Sequence, residues 1–132
     1  MAISIDTAVA TGVQATIAAY ARALDAGKPA DIAELFCPDG IAEIAGSRTF
    51  EGRDAIRAGY AAWAPTRPQL HLVTNTVITS WTADSATAIS DVAFLQRREA
   101  GWAVQLVGRY DDTLHLADGI WRFHHRVTTL QP

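Results

Sequence analysis

Three polar side chains in this 132-residue chain stand where their surroundings would favour something else. Asp25 closes an apolar stripe made by Val9, Val13, Ile17, Tyr20 and Leu24, whose four- and three-residue steps predict a helix. A helix C-terminus carries partial negative charge, so a carboxylate there asks for a specific partner. The plainer alternative is that Asp25 only begins the Asp-Ala-Gly-Lys turn. His71 opens a segment rich in Val, Ile and Thr, and alternation puts it on one face with Val73, Asn75 and Val77. Imidazole titrates near neutral pH and can take and return a proton, although a lone strand histidine also serves as a packed or surface residue. Arg126 lies in Trp121-Arg122-Phe123-His124-His125-Arg126. Alternation there groups Trp121, Phe123, His125 and Val127 on one face, and Arg122, His124 and Arg126 on the other. A solvated basic face accounts for Arg122 and His124.

Other candidates carry less. Asp91 interrupts an apolar run between Ile89 and Ala93 and reads as a pocket carboxylate or a sheet-edge residue. Asp111 and Asp112 follow Arg109; they could chelate a metal or pair with neighbouring arginines. Adjacent His124 and His125 point to opposite faces of a strand, so they do not form one bidentate site. No zinc-type spacing, glycine-rich phosphate loop or Gly-x-Ser-x-Gly elbow is present. The expected chemistry therefore uses no metal and no cofactor.

The elements that must carry these residues divide into two halves. After the first helix, which Ser4, Asp6 or Thr7 could cap and which Gly27 and Pro29 end, residues 30–36 predict a short second helix. Cys37-Pro38-Asp39-Gly40 reads as a turn, residues 41–44 and 48–51 as short strands, and residues 52–64 as a third helix with Ile56, Tyr60 and Trp63 on one side. From Leu70 onward the β-branched content predicts long strands over 70–81, 87–98, 102–115 and 120–130. Helices followed by an antiparallel meander give an α+β fold, with three N-terminal helices packed on a curved, mostly antiparallel sheet around an apolar pocket. No repeat or linker divides the chain, so residues 1–132 are expected to form one domain.

Composition narrows the function classes. The 49% hydrophobic and 19% charged content is that of an ordinary globular chain, not a disordered one. A net charge of -3 without a basic cluster argues against nucleic acid as a partner. The first basic residue is Arg22, which argues against a secretory signal, and no apolar run is long enough for a membrane span. Cys37 is the only cysteine, so no intrachain disulfide forms and a cytoplasmic setting is expected. Apolar residues on the convex sheet face predict a homo-oligomer.

The segments Tyr20-Ala-Arg-Ala-Leu-Asp25, Ile32 to Gly40, Phe50 to Ile56, His71-Leu-Val-Thr-Asn75, Gly108-Arg-Tyr-Asp-Asp112 and Asp118 to Phe123 together resemble the SnoaL-like branch of the nuclear transport factor 2 superfamily. The resemblance implies its cone-shaped fold and assembly as a trimer or a dimer. It is closest in motif to scytalone dehydratase, bile-acid 7α-dehydratase and hexachlorocyclohexane dehydrochlorinase. In that group an aspartate ending the first helix orients a histidine opening the first long strand, positions matched by Asp25 and His71. Arg126 matches a functional arginine of the dehydrochlorinase. Tyr20 matches a tyrosine of the bile-acid enzyme, and Asp91 a further pocket aspartate. The second carbonyl-polarising tyrosine of scytalone dehydratase has no clear counterpart, and the sequence ends at Pro132 without the tail that covers the pocket in two of these relatives.

The resemblance implies a lyase of the dehydratase type acting on a small, mostly apolar, carbonyl-bearing molecule. The expected catalytic set is His71, Asp25, Tyr20 and Arg126; Asp91, Asn75, Arg109 and Trp63 are expected to bind substrate. The alternatives are an isomerase using the same dyad, a non-catalytic ligand-binding module, and a polyketide cyclase or an epoxide hydrolase, the last built on Asp91, Arg109 and Asp111.

Overall fold

The computed structural model describes residues 5–131. Helix α1 (Thr7–Asp25) starts at Asp6, whose carboxylate accepts from the N–H groups of Ala8 and Val9 at 2.8 and 3.2 Å. Thr7 is already helical, and Ser4, the other candidate cap, lies outside the described residues. The predicted stripe is the buried one: Val9, Val13, Ile17 and Tyr20 enter the core. Gly27, at φ 66°, takes the left-handed turn that ends the helix.

Helix α2 (Pro29–Glu34) is shorter than expected, because Phe36 already begins strand β1 (Phe36–Ile44). The expected turn at 37–40 is an irregular stretch of that strand, where the register against the last strand shifts between Phe36 and Ile41. Gly40 permits it: a Cβ there would stand 2.9 Å from the Cys37 carbonyl oxygen and 3.0 Å from that of Phe123. Strand β2 (Arg48–Glu51) and helix α3 (Arg53–Ala61) follow. The expectation of three N-terminal helices is therefore met in part. Two helices open the chain, and the third comes after the β1-β2 pair.

Strands β3 (Gln69–Trp81), β4 (Ser85–Arg98), β5 (Gly101–Ala117) and β6 (Ile120–Leu130) complete one six-stranded sheet in the order β2-β1-β6-β5-β4-β3. Only β1 and β6 pair in parallel, so the chain is α+β. Ala86, Ala88, Ser90 and Val92 on β4, with Tyr110, Asp112 and Leu114 on β5, form the inner face. Helix α1 packs against β3 and β6. Thr16 Oγ1 donates to the Trp121 carbonyl oxygen at 2.6 Å, fastening α1 to β6. Among the described residues, no helix is long and apolar enough to cross a membrane.

Two of the sheet's register shifts decide which way the candidate residues face. On β3 the register slips between Thr74 and Val77, with Asn75 at φ 55°. Against β6, Thr113 pairs with His125 and Leu114 with Phe123, so His124 is the extra residue. Each bulge reverses the alternation beyond it.

Candidate functional site

The last residue of α1 and the start of β3 meet at one edge of a cavity of about 470 Å³. His71 lines it, stacked on its cross-strand partner Phe94 at 4.6 Å. Asp25 stands behind the ring. Its Oδ1 lies 2.6 Å from His71 Nδ1, and its Oδ2 accepts from the His71 backbone N–H at 2.8 Å. Burial would raise the Asp25 pKa, but these bonds, with a further one from Gln69, hold it below the usual carboxylate value. An ionised carboxylate only accepts, so Nδ1 carries the hydrogen. Nε2 has no partner among the described residues and is the nitrogen left for a molecule in the cavity.

Tyr20 and Tyr60 also line the cavity, their hydroxyl oxygens 2.6 Å apart. One hydroxyl donates to the other, leaving the second free to donate into the cavity. Burial drives both upward, Tyr60 to about 12, so they are neutral donors rather than bases at physiological pH. Tyr110 lies between Tyr20 and the β5 wall and is raised by the same burial. Trp63 stands at the rim, edge-on to Tyr60 at 5.3 Å and to Phe50 at 5.6 Å. Val92, Leu106, Gly108 and Leu130 make most of the remaining wall apolar.

Of the expected catalytic residues, His71, Asp25 and Tyr20 come to this cavity or directly behind it; Arg126 does not line it. The bulge at His124 turns Arg126 to the same inner face as Phe123, against the regular alternation. There it makes a two-pronged ion pair with Asp112 (Nε–Oδ1 2.7 Å, Nη2–Oδ2 2.9 Å), and the two side chains are 1% and 0% exposed. Its guanidinium lies 3.6 Å from the Tyr110 ring centre and 4.3 Å from that of Tyr20. It thus sits behind the two tyrosines, and its Nη1 has no hydrogen-bond partner among the described residues. Burial would lower its pKa; the Asp112 carboxylate outweighs this and raises it.

Three of the four expected substrate-binding residues lie on the outer face, the exception being Trp63. Asn75, turned outward by the β3 bulge, donates to Asp91 Oδ2 at 2.8 Å, and both are exposed. Arg109 is the register partner of Asp91 and binds Asp111 at 3.1 Å, again in solvent. These positions correct the expectation that Asn75, Asp91 and Arg109 reach the pocket, and they remove the residues of the epoxide-hydrolase reading from it. Asp112 pairs with Arg126.

Tyr60, Tyr110 and Gln69 were not singled out from the sequence. Tyr60 lies on the apolar side of the third helix, and its hydroxyl there was the available signal. It supplies a second tyrosine where none was expected.

The SnoaL-like domain family matches residues 7–127. No curated protein matches the chain. Among solved structures, an aspartate-to-asparagine variant of Rv3472, a protein of unknown function from Mycobacterium tuberculosis, is 28% identical with a TM-score of 0.86, over 93% of this chain and 72% of that one. A candidate scytalone dehydratase from Novosphingobium aromaticivorans is 25% identical with a TM-score of 0.83, over 94% and 85%. Aln2 from a Streptomyces species, at 18% identity and a TM-score of 0.87 over 97% and 94%, shares the fold. These likenesses fit a small-molecule-binding or catalytic protein. The chain belongs to the SnoaL-like family, within the nuclear transport factor 2-like superfamily.

Proposed function

We propose that this protein is a cofactor-independent lyase that dehydrates a small, mostly apolar molecule bearing a carbonyl group and a β-hydroxyl. The observation that carries the reading is the 2.6 Å contact between His71 Nδ1 and Asp25, which leaves Nε2 as the nitrogen toward the cavity. Nε2 takes a proton from the carbon between carbonyl and hydroxyl-bearing carbon. The C–H electrons form the new C=C bond by way of an enolate, and the C–O bond to the hydroxyl breaks. The hydroxyl leaves as water with the proton returned from the imidazolium. Asp25 acts through the ring as a positioning residue and stabilises the imidazolium. The Tyr20–Tyr60 pair supplies, from the hydroxyl left free, a hydrogen bond to the carbonyl oxygen as it gains charge. Arg126 acts from behind Tyr20, its positive charge favouring donation by that hydroxyl. The likeness to a candidate scytalone dehydratase supports this reaction type.

The same proposal takes residues 1–132 as one cytoplasmic domain. It assembles as a homo-oligomer through the outer sheet face, where Leu70, Leu72, Val104 and Val107 are exposed.

The β-hydroxy derivative of α-tetralone tests the reading, because loss of water yields fluorescent α-naphthol. Wild-type protein is expected to turn it over. His71→Ala should lose about 10²–10⁴-fold, the usual contribution of a positioned base. Proton exchange without loss of water would favour an isomerase with the same dyad. Binding without either would favour a ligand-binding module.

A further inference from the structure

His71 and Asp25 do not meet alone. Gln69, two residues before His71 and on the same face of β3, donates from Nε2 to Asp25 Oδ1 at 3.2 Å and to the Leu24 carbonyl oxygen at 3.4 Å. Both partners are acceptors, so the amide must present its NH₂ group to them. Asp25 Oδ1 then accepts from Gln69 and from His71 Nδ1, while Oδ2 accepts from the His71 backbone N–H. Three donors on two oxygens fix a carboxylate plane that would otherwise turn about the Cβ–Cγ bond. The Leu24 carbonyl belongs to the last turn of α1, where it also accepts from the Gly27 N–H at 3.2 Å. One amide thus ties the helix end, the carboxylate and the strand together where carboxylate and ring must meet. It does so at the cavity wall, which Gln69 itself lines.

We infer that Gln69 is a positioning residue: its amide holds the Asp25 carboxylate in the orientation that keeps the hydrogen of neutral His71 on Nδ1 and leaves Nε2 bare toward the cavity. The inference rests on the reading of His71 as the base and deepens it. The low Asp25 pKa agrees with it, since the Gln69 bond is among its causes after burial, which opposes it, and the His71 bonds.

The test uses the full chain, labelled with nitrogen-15 and carbon-13 and without ligand, so it needs no substrate. Ring-nitrogen shifts report the tautomer of His71, and side-chain carboxyl shifts report the titration of Asp25. In wild-type protein, neutral His71 is expected as the Nδ1–H tautomer. Gln69→Met keeps the length but removes the donor. It should convert His71 to a mixture of tautomers and move the Asp25 midpoint upward. Gln69→Glu sets a second carboxylate against Asp25 and should move that midpoint further up. If the wild-type tautomer is Nδ1–H and neither variant changes it, the role of Gln69 is overturned and that of His71 stands. A wild-type Nε2–H tautomer overturns both. A fall in melting temperature with tautomer and midpoint unmoved reduces Gln69 to a structural residue and likewise overturns the inference.

Discussion

Two carboxylates on this scaffold hold cationic or potentially cationic partners, and they do so under opposite conditions. Asp112 and Arg126 are sealed in the core, with two short hydrogen bonds and aromatic rings over the guanidinium. Arg126 stays charged through the accessible pH range, so this pair has one state. Asp25 and His71 lie at an element boundary beside the cavity, with side chains 15–16% exposed. Here the partner of the carboxylate is an imidazole, a group able to take and return a proton. Both pairs use the same carboxylate chemistry, but burial and the choice of partner make one a fixed part of the core and the other a group that can exchange a proton with a ligand. The family resemblance nominated Arg126 as a catalytic residue; its ion pair with Asp112 holds it in the core, out of the cavity lining.

The largest expected effect breaks the sealed pair. Asp112→Ala leaves Arg126 buried without a counter-charge and should cost about 3–5 kcal/mol in urea unfolding. Replacing both partners, Asp112→Leu with Arg126→Met, should recover much of that loss, because an apolar pair carries no desolvation penalty. A single variant as stable as wild type would remove the contrast drawn here. Smaller is the pH effect at the dyad. The Asp25 pKa is held below its ordinary value of 3.8 in the folded chain, so its contribution is complete above that value and fades as pH falls through the lower folded value. The stability difference between wild type and Asp25→Asn should therefore be constant at neutral pH and shrink only below about pH 4. A difference that fades already near pH 6 would point to another group. Smallest is Asp91→Ala on the exposed outer face, expected to change unfolding by no more than about 0.5 kcal/mol and to leave the cavity chemistry untouched.

Much of the site was legible because it lies at element ends. The stripe from Val9 to Leu24 defined α1, and a carboxylate at its unfavourable end demanded a donor; His71, opening the next long strand segment, supplies two. What alternation could not show was where it breaks. The bulge at Asn75 turned a presumed pocket residue to solvent, and the bulge at His124 carried Arg126 inward, where a regular strand would have put it opposite Phe123. Bulges arise from the pairing of whole strands, which no local window contains. Tyr60 was missed for a related reason: its partner Tyr20 is 40 residues away, and only the packing of α3 on α2, β1 and β2 brings the hydroxyls together. Gln69 was unremarkable until the Leu24 carbonyl and Asp25 were both within its reach.

The central claim, that His71 removes a proton from carbon, is tested most directly by deuterium exchange at the α-carbon of α-tetralone, which has the acidic C–H but no leaving group. Tryptophan quenching would first establish that it binds near Trp63. Wild-type protein in heavy water should incorporate deuterium, and His71→Ala, binding the ketone equally, should lose about 10²-fold or more of that rate. Exchange that survives in His71→Ala, or is absent from wild type with the ketone bound, would contradict the account.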